Sequence, residues 1–343
     1  MDLLGTPTDQ LRPWLTDLGV GARHAGRLFA GLHRHRQSIE HIPDLGRHAA
    51  VIAAHGQLAT AEVVERHPAP DGSTRLVFAL HDGARVEGVL LPSHYGDRVT
   101  LCLSSQVGCA MACAFCATGT LGLDRQLSAG EIVAQVHAAR RLLEGTQRRL
   151  THLVFMGMGE PLHNADAVLS ALRVLTDPHG LPMAKRNLTV STVGLLRPLR
   201  RLGEAMGGKL QLAISLHAGT DATRRRILPI ARTVSLQQLR EALLAHPFPS
   251  RQKLMLEYVL LPGVNDGPAE VDGLRAFTEG LPAVVNIIPF NPFAGAPFRS
   301  PEHGEIEAFW QALKAAGIHN TVRWPRGRDA HGACGQLMLA STP

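Results

Sequence analysis

Three cysteines within eight residues, Cys109-Ala-Met-Ala-Cys113-Ala-Phe-Cys116, are the densest chemistry in the chain. The CxxxCxxC spacing lets three thiolates ligate three irons of a [4Fe–4S] cluster and leaves the fourth iron open to a small ligand. An open iron is what a reaction at the cluster needs. A structural zinc site would instead close four ligands at a different spacing, and it stands as the alternative reading of these residues. Five cysteines, three of them clustered, point to metal or redox chemistry and away from a disulfide scaffold.

Other reactive residues lie in short peptides that follow strand-like runs. These are Gly157-Met-Gly159-Glu160-Pro161, Ser191-Thr-Val-Gly194, Ser215-Leu216-His217-Ala218, Pro262-Gly-Val-Asn265-Asp266 and Pro289-Phe-Asn291-Pro-Phe293. Glu160 suits an ammonium group, which offers donors only. Ser191, Ser215, His217 and Asn291 can hydrogen-bond a ribose or an adenine. Taken singly, Ser191 reads as a helix cap, His217 as a core histidine and Asn291-Pro as a turn. Placed together at successive strand ends, they read as one ligand site. Two cysteines lie outside the cluster. Cys102 precedes Cys109 by seven residues, and Cys334 sits in Arg326-Gly-Arg-Asp-Ala-His-Gly-Ala-Cys334-Gly-Gln336. The small residues of that segment predict a mobile loop able to enter a site. The competing reading is two idle buried cysteines.

With Phe115 before its last cysteine, the cluster motif resembles the radical S-adenosylmethionine (SAM) signature. The wider set narrows the resemblance. Leu101-Cys-Leu-Ser-Ser-Gln-Val-Gly-Cys109, GMGEPL, SLHA, EYVLLPGVND, IPFNPF and ACGQL occur in order, and together they are similar to the RlmN/Cfr family of radical-SAM RNA (adenine) methyltransferases. The likeness covers about residues 84–338. Val193 stands where the family usually has Ser, and Gly219 where Pro is common; neither is a cysteine position. The resemblance implies a [4Fe–4S] cluster on Cys109, Cys113 and Cys116, with SAM contacts at Gly159, Glu160, Ser191, Ser215, Leu216, His217 and Asn291. It implies that Cys334 takes a methyl from one SAM and that a second SAM yields the radical that activates this S-methyl. The resulting methylene adds to C2 or C8 of adenine, with C2 the expected housekeeping position. Cys102 then releases the product through a transient disulfide. Glu87, in Val86-Glu87-Gly88-Val89, matches a position given a proton-acceptor role. The chemistry has a reason: an sp² adenine carbon is a poor nucleophile, so covalent catalysis divides the hard step and thiol–disulfide exchange ends it.

The elements that must position these residues alternate. Strands are predicted at Arg98–Leu103, Thr151–Met156, Asn187–Thr192, Gln211–Leu216, Lys253–Leu261 and Ala283–Phe290, with a short seventh at Thr321–Trp324. Helices are predicted over 128–143, 164–175, 195–206, 233–245, 267–279 and 302–316. The first opens with the capping box Ser128-Ala-Gly-Glu131. The fold class is therefore α/β, and the resemblance makes it a partial (β/α)6 radical-SAM barrel. Ahead of the core, over 96–338, lie two smaller parts. Residues 1–55 read as a helical accessory module that binds RNA, with basic and histidine-rich faces (His24, Arg27, His33, Arg34, His35, Arg36). Residues 56–95 read as a small antiparallel β extension with Pro-Asp-Gly and Asp-Gly turns.

The net charge is +6 over 343 residues, carried by arginine clusters such as Arg140-Arg141, Arg200-Arg201 and Arg224-Arg225-Arg226. Such a surface suits phosphate backbones. Aromatics are only 4%, so no stacking platform is evident and the arginines are the candidate grip. An adenine carbon must be reached in an rRNA or tRNA loop, or by extrusion. No apolar run is long enough for a membrane span, and no signal peptide is evident. The expectation is a cytoplasmic monomer with an external electron donor such as flavodoxin. The rival enzyme class is a radical-SAM enzyme with a non-RNA substrate, which gives Cys102 and Cys334 no task. The non-enzymatic rival is a zinc-stabilised RNA-binding module.

Overall fold

A computed structural model describes residues 1–93, 95–250 and 252–338. The chain opens with helices α1 (Thr8–Asp17), α2 (Ala25–Ala30) and α3 (His48–His55). A π turn, Gly31–His35, prolongs α2. Three antiparallel strands follow, β1 (Ala61–Pro68), β2 (Thr74–Leu80) and β3 (Arg85–Pro92). Next come β4 (Arg98–Cys102), β5 (Gln106–Gly108), α4 (Ala117–Thr120) and β6 (Leu123–Gln126). The alternation then runs α5 (Ala129–Leu142), β7 (Arg149–Phe155), α6 (Ala165–Thr176), β8 (Leu188–Thr192), α7 (Leu196–Met206), β9 (Gln211–Ser215). It ends with α8 (Asp221–Ile227), α9 (Leu236–Leu244), β10 (Leu254–Leu260), α10 (Pro268–Thr278), β11 (Ala283–Pro289), α11 (His303–Ala315) and β12 (Asn320–Val322).

Ten strands form one sheet in the order β1-β2-β3-β4-β7-β8-β9-β10-β11-β12. Neighbours from β4 to β12 are parallel; β1 to β4 are antiparallel. The antiparallel strands expected over 56–95 are present, but they are not a sheet of their own. β3 pairs with β4, placing Val89 beside Cys102. A bare parallel edge is a liability, and the meander covers that of β4. Thr100 on β4, Met255 on β10 and Arg323 just after β12 line a single cavity, so the parallel part is curled into an open partial barrel.

Strand alternation sorts side chains between helix-covered wall and lumen. On β10, Leu254, Leu256, Tyr258 and Leu260 are fully buried under the helices, where Tyr258 stacks on Phe309 of α11 at 5.3 Å. Met255, Glu257 and Val259 face the lumen. The α5 capping box forms as expected, with Glu131 N donating to Ser128 Oγ at 3.1 Å and Ser128 N to Glu131 Oε2 at 2.8 Å. Residues Gly130–Ala139 of α5 are all buried, because this helix packs against α6, β7 and the extension strand β1.

The N-terminal helices share the barrel's core through Leu11, Leu15, Leu28 and Phe29. This corrects part of the expected basic, histidine-rich face, of which Arg27, Arg34 and His35 are exposed. His24 and His33 are buried. Arg34 donates to Pro178 O at 2.7 Å, and Arg36 pairs with Glu144 beyond α5. His33, Arg34 and Arg36 fasten the module to the barrel, His33 through His137. The arginine clusters divide likewise: Arg225 and Arg226 are exposed, but Arg224 is fully buried and Arg140 donates to His33 O at 2.9 Å.

Candidate active site

The cysteine loop is closed at its base by the β5–β6 ribbon, where Cys109 N donates to Gly122 O at 2.7 Å. Gly108 sits at a φ of 74°, and a Cβ there would strike Gly122 O, so only glycine fits this crossing. Ala112 turns the loop through the left-handed region, and Cys116 N returns to Cys113 O at 3.1 Å. The loop's outer side rests on the end of α8, with Ala114 N donating to Ile227 O at 3.0 Å. All three thiols thereby line one wall of a single cavity.

The strand ends complete the cavity. The Gly157–Pro161 turn is pinned from below: Met158 N donates to Ser104 Oγ at 2.7 Å and Glu160 N to Gln106 Oε1 at 2.7 Å. Glu160 is buried and turns its carboxylate to the protein itself, accepting from Leu162 N at 3.0 Å and Val193 N at 2.9 Å. Burial pushes its pKa up to about 7. His217 holds a left-handed φ of 59° and accepts the Val259 N–H on Nδ1 at 3.0 Å. That bond assigns the proton to Nε2, as a donor. Burial, aided by Arg224, lowers its pKa to about 3, so the ring is neutral. Asn291 donates to Cys334 O at 3.2 Å, and its Oδ1 has no protein partner.

Gly159, Glu160, Ser191, Ser215, His217 and Asn291 all line this cavity with the three cysteines. Leu216 departs from expectation. Its side chain is fully buried in the core, and its backbone is already used, by Glu257 O and by Arg224 Nε. Glu87 departs too. It is buried and paired with Arg75, whose Nε donates to Ala330 O at 2.7 Å, and it lines neither this cavity nor the adjoining one. The pair with Arg75 places Glu87 as an anchor beneath the Cys334 loop.

The C-terminal loop is not the free arm its small residues suggest. Gly335 O accepts from Ala117 N at 2.7 Å, Gln336 donates to Pro292 O at 3.0 Å, and Gly327 N donates to Asp71 at 2.8 Å. These ties hold Cys334, exposed, where it borders both the cluster cavity and a second one. Cys102 and Cys116 line that second cavity as well. Burial first, then the neighbouring Cys334, pushes the Cys102 thiol up to about 12.

Residues 103–272 match the Radical SAM superfamily model. The chain is 42% identical over 331 residues to the dual-specificity RNA methyltransferase RlmN of Syntrophobacter fumaroxidans, spanning 96% of this chain and 95% of that one. It is 42% identical over 349 residues to the dual-specificity RNA methyltransferase RlmN of Anaeromyxobacter dehalogenans, spanning 100% and 93%. A crystal structure of a radical SAM methyltransferase from Sphaerobacter thermophilus superposes with a TM-score of 0.89 at 38% identity, spanning 98% and 99%. The chain belongs to the RlmN/Cfr family of radical-SAM RNA methyltransferases.

The radical-SAM family implies a [4Fe–4S] cluster and SAM, and the cysteine loop fits that cluster on its own chemistry. Burial, and then the neighbouring Cys116 and Cys109, raise the Cys113 thiol well above its ordinary range. Cys109 is pushed up to about 11 by burial. Three thiolates side by side here are costly unless cations compensate them, and iron does so. Of the two departures from the family pattern, Val193 donates its backbone N–H to Glu160 Oε2 at 2.9 Å, and Gly219 is considered below. Sequence reasoning missed Glu257 and Arg323, which approach to 3.9 Å inside the barrel. Asn286 donates to Glu257 Oε1 at 3.1 Å, while Oε2 has no protein partner. The signal for Glu257 was its phase: a carboxylate on the lumen side of an otherwise apolar strand, with Met255 and Val259. Among the described residues no helix is long and apolar enough to cross a membrane.

Proposed function

We propose that this chain methylates a ring carbon of adenine, C2 or C8, in 23S rRNA or tRNA, with Cys334 as covalent carrier and Cys102 as resolving thiol. One observation carries the reading: Cys102, Cys116 and Cys334 line the same cavity. A cluster ligand, a carrier thiol and a resolving thiol can therefore act on a single substrate carbon. When bound to Cys109, Cys113 and Cys116, the cluster with SAM supplies one-electron cleavage to a carbon radical. Exposed Cys334 accepts a methyl by direct displacement. Its S–CH3 bond forms as the corresponding bond of SAM breaks, and the thiol proton passes to solvent. Loss of one S–CH3 hydrogen to the deoxyadenosyl radical would leave a methylene radical that adds to the adenine carbon. That carbon would then give up its ring hydrogen as a proton and one electron to the iron–sulfur centre, after which Cys102, as thiolate, attacks the Cys334 sulfur. The S–S bond forms, the C–S bond to product breaks, and the released carbon takes the electron pair and a proton. A thiol reductant then restores both cysteines. His217 Nε2–H, Ser191, Ser215 and Asn291 offer the polar contacts for SAM. Glu87 as proton acceptor belongs to the same proposal.

Mass spectrometry of protein purified from SAM-replete cells tests the carrier. A single methyl on the Cys334 peptide is expected, and its persistent absence removes the mechanism. A Cys102→Ala variant should accumulate protein joined to RNA. Nucleoside analysis of total RNA with and without the gene decides between C2 and C8. Anaerobic reconstitution with iron and sulfide separates this reading from a zinc-stabilised module.

A further inference from the structure

We infer that Arg224 is the buried counter-charge of the cluster, a positioning residue that eases its reduction while tying together the turns around it. The inference rests on the reading that Cys109, Cys113 and Cys116 hold a cluster. Arg224 is fully buried. Its guanidinium donates to three carbonyls: Nη2 to Val193 O at 2.8 Å, Nε to Leu216 O at 3.2 Å and Nη1 to Val234 O at 3.3 Å. These acceptors follow β8, follow β9 and precede α9, so one side chain spans three turns of the site. All three are neutral, and among the described residues Arg224 forms no ion pair with a carboxylate. Asp221, one helical turn earlier, spends its Oδ1 on Leu236 N at 2.9 Å. A buried cation without a close anion is heavily penalised, so a partner is to be sought nearby.

The cysteine loop is that partner. Beyond Ala114 N to Ile227 O, Ile227 and Leu228 form one apolar cluster with Phe115, against which Cys113 and Cys116 pack. Phe115 meets the His217 ring edge-on at 4.4 Å. α8 thus lies directly behind the cysteines with dry side chains between. A cluster held by three thiolates is anionic and gains a further negative charge on reduction. A fixed cation in an apolar setting favours the more negative state, which raises the potential.

The test is a redox titration of anaerobically reconstituted protein, following the reduced cluster by paramagnetic resonance. Arg224→Met should bind normal iron and sulfide. At the wild-type midpoint its reduced-to-oxidised ratio should fall at least tenfold, which is 59 mV for one electron. Arg224→Lys keeps the charge but cannot serve three carbonyls. It should stay within about threefold of wild type while its apoprotein melts at a lower temperature, separating charge from tie. Asp221→Asn keeps the acceptor for Leu236 and removes a negative charge, so its ratio should rise about threefold. This variant decides the matter if Arg224→Met does not fold. Equal potentials in wild type and Arg224→Met at equal iron content, or no rise in Asp221→Asn, overturn the inference. Failure of the wild type itself to take up a cluster overturns the cofactor reading instead.

Discussion

Glu257 and Asn291 each present one oxygen to the cluster cavity that no protein donor meets. Buried acceptors left this way await a ligand donor. Glu160, the carboxylate expected to hold the SAM ammonium, has both oxygens engaged by backbone N–H groups. Glu257 is thus a second carboxylate of this cavity, beside Glu160, with a lone pair for a SAM donor. Glu257→Gln should weaken SAM binding to the reconstituted enzyme about tenfold, the lower range for a hydrogen bond to a charged group. Equilibrium dialysis measures this, and an unchanged dissociation constant would sink the assignment. The two outlying cysteines differ as sharply. With its thiol pushed up to about 12, Cys102 holds almost no thiolate at pH 8. Iodoacetamide should label exposed Cys334 long before Cys102, and Cys102 labelling should climb as pH rises. Peptide mass spectrometry resolves the two; equal rates would contradict the burial argument. The cysteines were legible because spacing along the chain reports ligation directly. Glu257 and Arg323 were not, because what joins them is barrel curvature, which brings β10 and the end of β12 to one lumen.

At the scale of elements, the six long strands and six long helices followed from periodicity, since each is long enough to display its repeat. α8 and the β5–β6 ribbon escaped. α8 has seven residues and the ribbon strands three and four; tertiary bonds stabilise them more than their own propensities. Glu270 of α10 shows how. It accepts from Gly219 N at 2.5 Å, Thr220 Oγ1 at 2.8 Å and Thr223 Oγ1 at 2.6 Å, fixing the start of α8 from another helix. A Cβ on Gly219 would run into Glu270 O. Gly219→Pro, a change toward the residue common in the family, deletes the N–H and adds the clash. It should destabilise the apoprotein by about 3 kcal/mol in urea denaturation. Wild-type stability in this variant would refute the account. The same reasoning corrects the β extension. Its strands were readable from alternation and turns, but its pairing with β4 depends on an edge that only the assembled sheet defines.

Over the whole molecule, the N-terminal helices and the barrel meet at a histidine pair. His33 Nδ1 lies 3.2 Å from His137 Nε2 on α5, with the rings stacked and Phe29 against His33 at 4.2 Å. Burial lowers the His33 pKa to about 4 and drives His137 well below its ordinary value, with Arg140, Arg36 and Arg141 adding to the second effect. Asp177 opposes this at His33. Nothing along the chain marked these histidines as core. His33 lies among arginines on a polar segment, and only docking against α5 buries it. The sign of the consequence is definite. A histidine whose folded pKa is depressed stays neutral in the native state while the unfolded chain takes up a proton, so its stability is full above pH 6.5 and is lost toward pH 4. Glu160 opposes this, because a carboxyl raised to about 7 favours the native state as pH falls from 7 toward 4.5. His217, lowered to about 3, acts with His33, so the histidines outweigh it. Apoprotein stability should therefore fall on acidification from pH 6.5 to 4, with His33 contributing up to about 3 kcal/mol. His33→Leu should flatten the dependence, because Glu160 then offsets more of what remains. Urea titrations across this range compare the two proteins. A variant curve as steep as the wild type would place the acid sensitivity elsewhere and leave the module's docking independent of its histidines.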